Sequence, residues 1–140
     1  MDKKRGLILC TGNSARSQMA EGLLRSEGGD RFEVFSAGTK PSTVRPEAIA
    51  VMSEIGIDIS SHRSKSVEEF SGMPLDYVIT VCDNAKESCP IFRGKSERIH
   101  WSFEDPAAVR GSDEERKTAF RKIRDQIHAG LMVFLSQSLG

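Results

Sequence analysis

The run Gly6-Leu7-Ile8-Leu9-Cys10 is short and apolar, and helical spacing begins only a few residues later, directly after Arg16. A strand, a loop of five residues and a helix leave the chain little choice: this is the opening of a strand–helix–strand unit of an α/β fold. The loop is Thr11-Gly12-Asn13-Ser14-Ala15, and it lies between Cys10 and Arg16. A loop this tight makes a nest of backbone N–H groups, and the helix N-terminus behind it adds positive potential. Arg16 forks onto two oxygens of a tetrahedral anion, and the same field favours the Cys10 thiolate over the thiol. The expected anion-binding residues are Thr11, Gly12, Asn13, Ser14, Ala15 and Arg16, with Cys10 as nucleophile at their centre. A plainer reading makes Cys10 a small core residue and Arg16 an ordinary surface residue. The Gly12-Asn13 pair, able to take positive φ, favours the nest.

A second strand is expected over Phe32–Ala37, ended by Gly38, and the clearest strand is the β-branched run Tyr77–Val81. Arg98–Trp101 reads as a shorter fourth strand. Between them, Arg16–Ser26 carries an apolar helical stripe of Met19, Ala20, Leu23 and Leu24, with Glu21 and Arg25 as an i,i+4 pair on the outside. Pro46 suits the first turn of a helix carrying Ala48, Ile49, Met52 and Ile55, closed by Gly56. Ser66–Phe70 predicts a short helix. From about Asp113 a long helix places Phe120, Ile123, Ile127, Leu131 and Phe134 on one face. Strands alternating with helices predict a four-stranded parallel sheet in a three-layer α/β sandwich. Ligands of such sheets bind at the carboxyl ends of the strands. Cys10 and Cys82 end two of them and face one edge.

The chain of 140 residues reads as one domain over residues 1–140, acting as a monomer. Acidic and basic residues number 20 each, so the net charge is zero, which argues against nucleic acid or an anionic membrane as partner. No apolar run approaches the ~18 residues of a membrane span, and Met1-Asp2-Lys3-Lys4-Arg5 leads into a strand without a secretory segment. The expected location is the cytoplasm. There, three cysteines do not form a structural disulfide framework, and reactive roles come forward. His62, His100 and His128 fall far apart with no metal-binding spacing.

Cys82 and Cys89 stand in a polar segment closed by Pro90. They are either two unrelated cysteines or a relay, in which Cys82 attacks a sulfur adduct on Cys10 and Cys89 resolves the disulfide. In a helix their Cα atoms would stand about 10.5 Å apart, whereas a disulfide needs about 4.4–6.8 Å. A bond between them therefore requires the segment to loop out. Asp105, before Pro106, is held toward extended backbone, which suits either a loop carboxyl acting as general acid or a plain turn.

Taken together, the chain resembles the thioredoxin-coupled arsenate reductases, which share the fold of the low-molecular-weight protein tyrosine phosphatases. The resemblance runs through Cys10–Gly22, Ser36-Ala37-Gly38, Gly56–Ser60, the Cys82/Cys89 pair with Pro90, and Trp101–Pro106. The later cysteines, and Arg16-Ser17-Gln18 where the phosphatases usually have Arg-Ser-Pro, point to the reductase branch. The resemblance implies that Cys10 attacks arsenate while Arg16 and the loop amides hold its oxygens. Ser17 donates to the thiolate and Asp105 protonates the departing oxygen. Cys82 then displaces arsenite and Cys89 captures Cys82. No cofactor is tightly bound; reduced thioredoxin is the electron donor and partner.

Some members of that family bind potassium behind the loop through residues matching Asn13, Glu21 and Ser36, with further ligands from the segment after His62. Here that segment is Arg63-Ser64-Lys65, where cations replace oxygen ligands: a Lys65 ammonium either fills the ion's place beside Glu21 or is simply solvated. Two other functions compete. A low-molecular-weight phosphatase would use the same loop, but such enzymes guide an aromatic ring with aromatics at the pocket rim, and the one tyrosine, Tyr77, falls in a strand. A trithiol arsenite binder would use the cysteines as soft ligands and leave Arg16 and Asp105 without a role.

Overall fold

A computed structural model describes residues 3–81 and 96–138. Its elements are β1 (Lys4–Cys10), α1 (Arg16–Gly28), β2 (Phe32–Gly38), α2 (Pro46–Ser53), β3 (Tyr77–Thr80), β4 (Glu97–His100) and α3 (Asp113–Ser138). The strands form one parallel sheet in the order β2-β1-β3-β4. The chain leaves β1 to one side for β2 and returns to the other side for β3. The loop after β1 therefore opens at the point where the strand order reverses, the place where parallel sheets bind ligands.

Periodicity sets the burial. Leu7, Ile8 and Leu9 are wholly buried, as the central strand of a sheet covered on both faces requires. On one face Phe32 packs against Tyr77 and against Phe134 of α3, with ring centroids 6.1 and 5.8 Å apart. On the other face Phe35 meets Phe70 at 5.3 Å. Phe70 belongs to a 3-10 turn, Val67–Phe70, capped by the Ser66 side chain, where a short helix was expected. Helix α2 begins with Pro46 at its first turn, as the sequence predicts, and stops at Ser53. It is stapled to α3 by Arg124, which donates to the Val51 carbonyl at 2.9 Å and to Glu54 at 3.0 Å.

The predicted face of the long helix is the observed one: Phe120, Ile123, Ile127, Leu131 and Phe134 are all buried. Strand ends differ by small shifts. β1 starts at Lys4 rather than Gly6, and β4 spans Glu97–His100. None of the described helices is long and apolar enough to cross a membrane.

Candidate active site

The loop's carbonyl groups define its shape. Those of Cys10, Thr11, Gly12 and Ser14 accept hydrogen bonds from the backbone N–H groups of Thr39, Lys40, Ser42 and Arg45 at 2.8–3.3 Å. The Gly12 carbonyl also takes the Ser64 hydroxyl at 2.9 Å. In a trans peptide the N–H points opposite to the preceding C=O, and no described peptide is cis. Carbonyls drawn outward by residues 39–45 therefore turn the N–H groups of Thr11, Gly12, Asn13 and Ala15 to the concave side. The concave loop is held from behind by residues 39–45.

Gly38 makes that backing possible. A Cβ on it would stand 2.5 Å from the Thr11 carbonyl oxygen and 2.9 Å from the Asn13 nitrogen. The sequence places Gly38 at the end of a strand and within the Ser36-Ala37-Gly38 motif; the structure adds that it permits this close approach. Of the Gly12-Asn13 pair, only Asn13 uses the left-handed region, at φ 47°.

Asn13 is buried with every side-chain valence used. Its Nδ2 donates to Ser17 Oγ at 2.8 Å and to Ser36 Oγ at 3.0 Å. Its Oδ1 accepts from the Gln18 side chain at 3.0 Å and from the Lys65 backbone at 2.9 Å. Because Ser17 Oγ accepts from Asn13, its own proton is left to donate elsewhere.

Behind Ser36 lies Glu21, and here the structure corrects the sequence reading. Glu21 pairs with Arg25 at 2.8 Å as the spacing predicts, yet it is only 4% exposed rather than outside. Its Oε1 accepts from Ser36 Oγ at 2.5 Å, and His62 and Lys65 stand 3.5 and 3.8 Å away. Gln18 and His62 were not expected here. Gln18 is wholly buried, donates to the Arg63 carbonyl at 3.0 Å and meets His62 Nδ1 at 2.9 Å. The sequence signal was Gln18 itself, a long polar residue where a proline would donate nothing. Burial holds the His62 imidazole below its ordinary range, and Arg25 and Lys65 push the same way against Glu21 and Asp58.

Arg16, at the far end of the loop from Cys10, reaches the segment that follows β4. It donates to the Phe103 carbonyl at 3.0 Å and lies 3.9 Å from Asp105. Its Nε is buried and, among the described residues, has no hydrogen-bond partner. A guanidinium donor held dry at the rim of a nest fits an oxygen of a bound anion. Asp105 is extended, as a residue before proline should be, and it accepts from the Ala107 N–H at 3.0 Å. It is thus both the turn residue and a carboxyl at the loop mouth. Cys10, 3% exposed, ends β1 beneath them. Cys82 and Cys89 lie outside the described residues.

The model of the low molecular weight phosphotyrosine protein phosphatases matches residues 6–140. The chain belongs to that family. An arsenate reductase of Halalkalibacterium halodurans is 44% identical over 134 residues, 96% of either chain. Among solved structures, an arsenate reductase in its phosphate-binding state superposes with a TM-score of 0.77 at 32% identity, covering 96% of this chain and 98% of that one. A thioredoxin-dependent arsenate reductase of Corynebacterium glutamicum gives a TM-score of 0.66 at 27% identity, covering 97% of this chain and 63% of that one.

Proposed function

We propose that the protein reduces arsenate to arsenite through its three cysteines and that thioredoxin restores the thiols. The Cys10 thiolate attacks arsenic, and a water leaves once Asp105 has given its proton to the departing oxygen. Arg16 and the loop amides hold the remaining oxygens as charge shifts among them. Cys82 then attacks the Cys10 sulfur. The Cys10–arsenic bond breaks with its electron pair on arsenic, which departs as arsenite, and a Cys10–Cys82 disulfide forms. Cys89 attacks Cys82, frees the Cys10 thiolate and leaves a Cys82–Cys89 disulfide. The two thiols of reduced thioredoxin supply the two electrons that reduce it.

The observation that carries this reading is a buried Arg16 Nε without a hydrogen-bond partner among the described residues, beside a loop whose Cys10, Thr11, Gly12 and Ser14 carbonyls are engaged by residues 39–45. The three cysteines and the arsenate reductases aligned over nearly the whole chain supply the rest. A phosphatase reading keeps the loop, Arg16 and Asp105 and dispenses with Cys82 and Cys89. Against it, Tyr77 pairs with Gly6 at the opposite end of the sheet from Cys10 and packs on Phe134. The deciding experiment is arsenate-dependent NADPH consumption with thioredoxin and its reductase, beside hydrolysis of a phosphate ester. Turnover of the ester alone refutes the reductase reading.

A further inference from the structure

Glu21 is a buried carboxylate whose two oxygens have separate neighbours. Oε2 pairs with Arg25 at 2.8 Å and faces His62 at 3.5 Å. Oε1 accepts from Ser36 at 2.5 Å and faces the Lys65 ammonium at 3.8 Å. Arg25 reaches Glu21 from solvent, with half its side chain exposed, whereas the Lys65 side chain is 12% exposed and lies on the loop side.

The Lys65 main chain is fixed independently of its ammonium. Its N–H donates to Asn13 Oδ1 at 2.9 Å and its carbonyl accepts from Gly38 at 2.8 Å. The side chain then curls back so that Nζ donates to the Arg63 carbonyl at 2.9 Å. Nζ therefore sits among a carboxylate oxygen and a backbone carbonyl, with the Ser36 hydroxyl bonded to that same carboxylate oxygen. This is the all-oxygen environment that a hard cation takes. Without the ammonium, Arg25 still pairs with Oε2 but Oε1 loses the cation on the loop side, which is costly for a buried carboxylate. Here the cost would pass along one hydrogen-bonded chain, from Glu21 to Ser36 to Asn13, into the left-handed turn of the loop.

We propose that Lys65 is the resident cation of the oxyanion loop, a positioning residue whose ammonium sets Glu21 and, through Ser36 and Asn13, the loop's anion-binding shape. A potassium ion would compete with this ammonium for the same oxygens, so the residues present do not fit the ion that the family resemblance implies. The inference concerns the loop's shape and holds whichever oxyanion is turned over.

Removing the ammonium should expose a cation requirement that the native chain lacks. The probes are inorganic phosphate for the loop and potassium for the site, measured by calorimetry and melting temperature. Potassium is compared with tetramethylammonium at equal ionic strength. In tetramethylammonium, Lys65→Ala and Lys65→Met should each bind phosphate about tenfold more weakly, the low end for loss of an outer-sphere partner. Potassium should restore Lys65→Ala and raise its melting temperature by about 3 °C. It should not restore Lys65→Met, whose side chain fills the space, and it should leave the native protein unmoved. The proposal is overturned if potassium stabilises the native protein equally, if Lys65→Ala binds phosphate normally without it, or if potassium fails to restore Lys65→Ala. Should Lys65→Ala not fold, native phosphate affinity in Lys65→Met overturns it just as well.

Discussion

Arg16 donates to the carbonyl oxygen of Phe103 at 3.0 Å, so the arginine of the anion loop is seated by the segment that carries Asp105. The two residues lie far apart in the chain, and the bond holds the guanidinium in place while Nε has no hydrogen-bond partner among the described residues. It joins the loop proposed to bind the anion to the segment that carries the proposed proton donor.

Arg16→Lys should therefore be severe although charge is kept. A lysine ammonium is a point charge and cannot hold Phe103 and two anion oxygens in one plane. A fall in kcat/KM of about 10²–10³ is expected, comparable to losing one preorganised donor. Turnover near the native level would remove Arg16 from contact with the anion.

Asp105→Asn keeps a side-chain oxygen for the Ala107 N–H, so the turn at Pro106 should persist. The proton donor is lost, and turnover should drop by about 10²–10⁴ with phosphate binding little changed. If affinity and turnover fall together, Asp105 serves the turn and not the chemistry.

Cys82→Ser should abolish repeated arsenate turnover and spare hydrolysis of a phosphate ester, which needs only Cys10, Arg16 and Asp105. In the same way, oxidation to a Cys82–Cys89 disulfide should alter amide exchange over residues 82–92 and leave β1 and β3 protected. Both expectations concern a segment outside the described residues. Equal loss of the two activities in Cys82→Ser would count against separate roles for the cysteines.

His62 gives the fold an acid-side weakness. Burial lowers its folded-state pKa from the ordinary 6.5, with Arg25 and Lys65 acting the same way and Glu21 and Asp58 opposing. The unfolded chain then binds the proton more readily than the folded one. Stability is full above the unfolded value and falls as pH drops below about 6.5 toward the folded value. His62→Gln, which cannot titrate, should show a flatter melting temperature between pH 7 and 5. Parallel curves for the two proteins would assign the acid loss to other groups.

Gly38→Ala puts a methyl group within 2.5 Å of a backbone oxygen of the loop. Because the contact is backbone on backbone, it has no flexible side chain to yield. A loss of about 2 kcal/mol or more is expected, read as a lower urea midpoint with unchanged slope. Phosphate binding should weaken with it, since Thr11 and Asn13 must shift. An unchanged midpoint would mean that residues 39–45 can move off the loop.

The alternation of apolar strands with amphipathic helices determined the α/β class and nearly every element of this protein. The placement of Cys10 and Arg16 at the two ends of a tight loop, and of Asp105 in extended backbone before proline, was legible because each depends on local context. The tertiary structure alone decided what stands behind the loop. Spacing paired Glu21 with Arg25 correctly but set the pair outside. Its burial depends on Ser36 of β2 and on His62 and Lys65 of one loop, two segments remote from α1 in the chain. Gln18, Gly38 and Ser64 serve the loop through partners remote in sequence, among them Arg63 and Gly12. Periodicity reports which face of an element is apolar. It cannot report which polar groups from distant segments will meet beneath that face, because that is fixed only when the sheet register and the crossovers are in place.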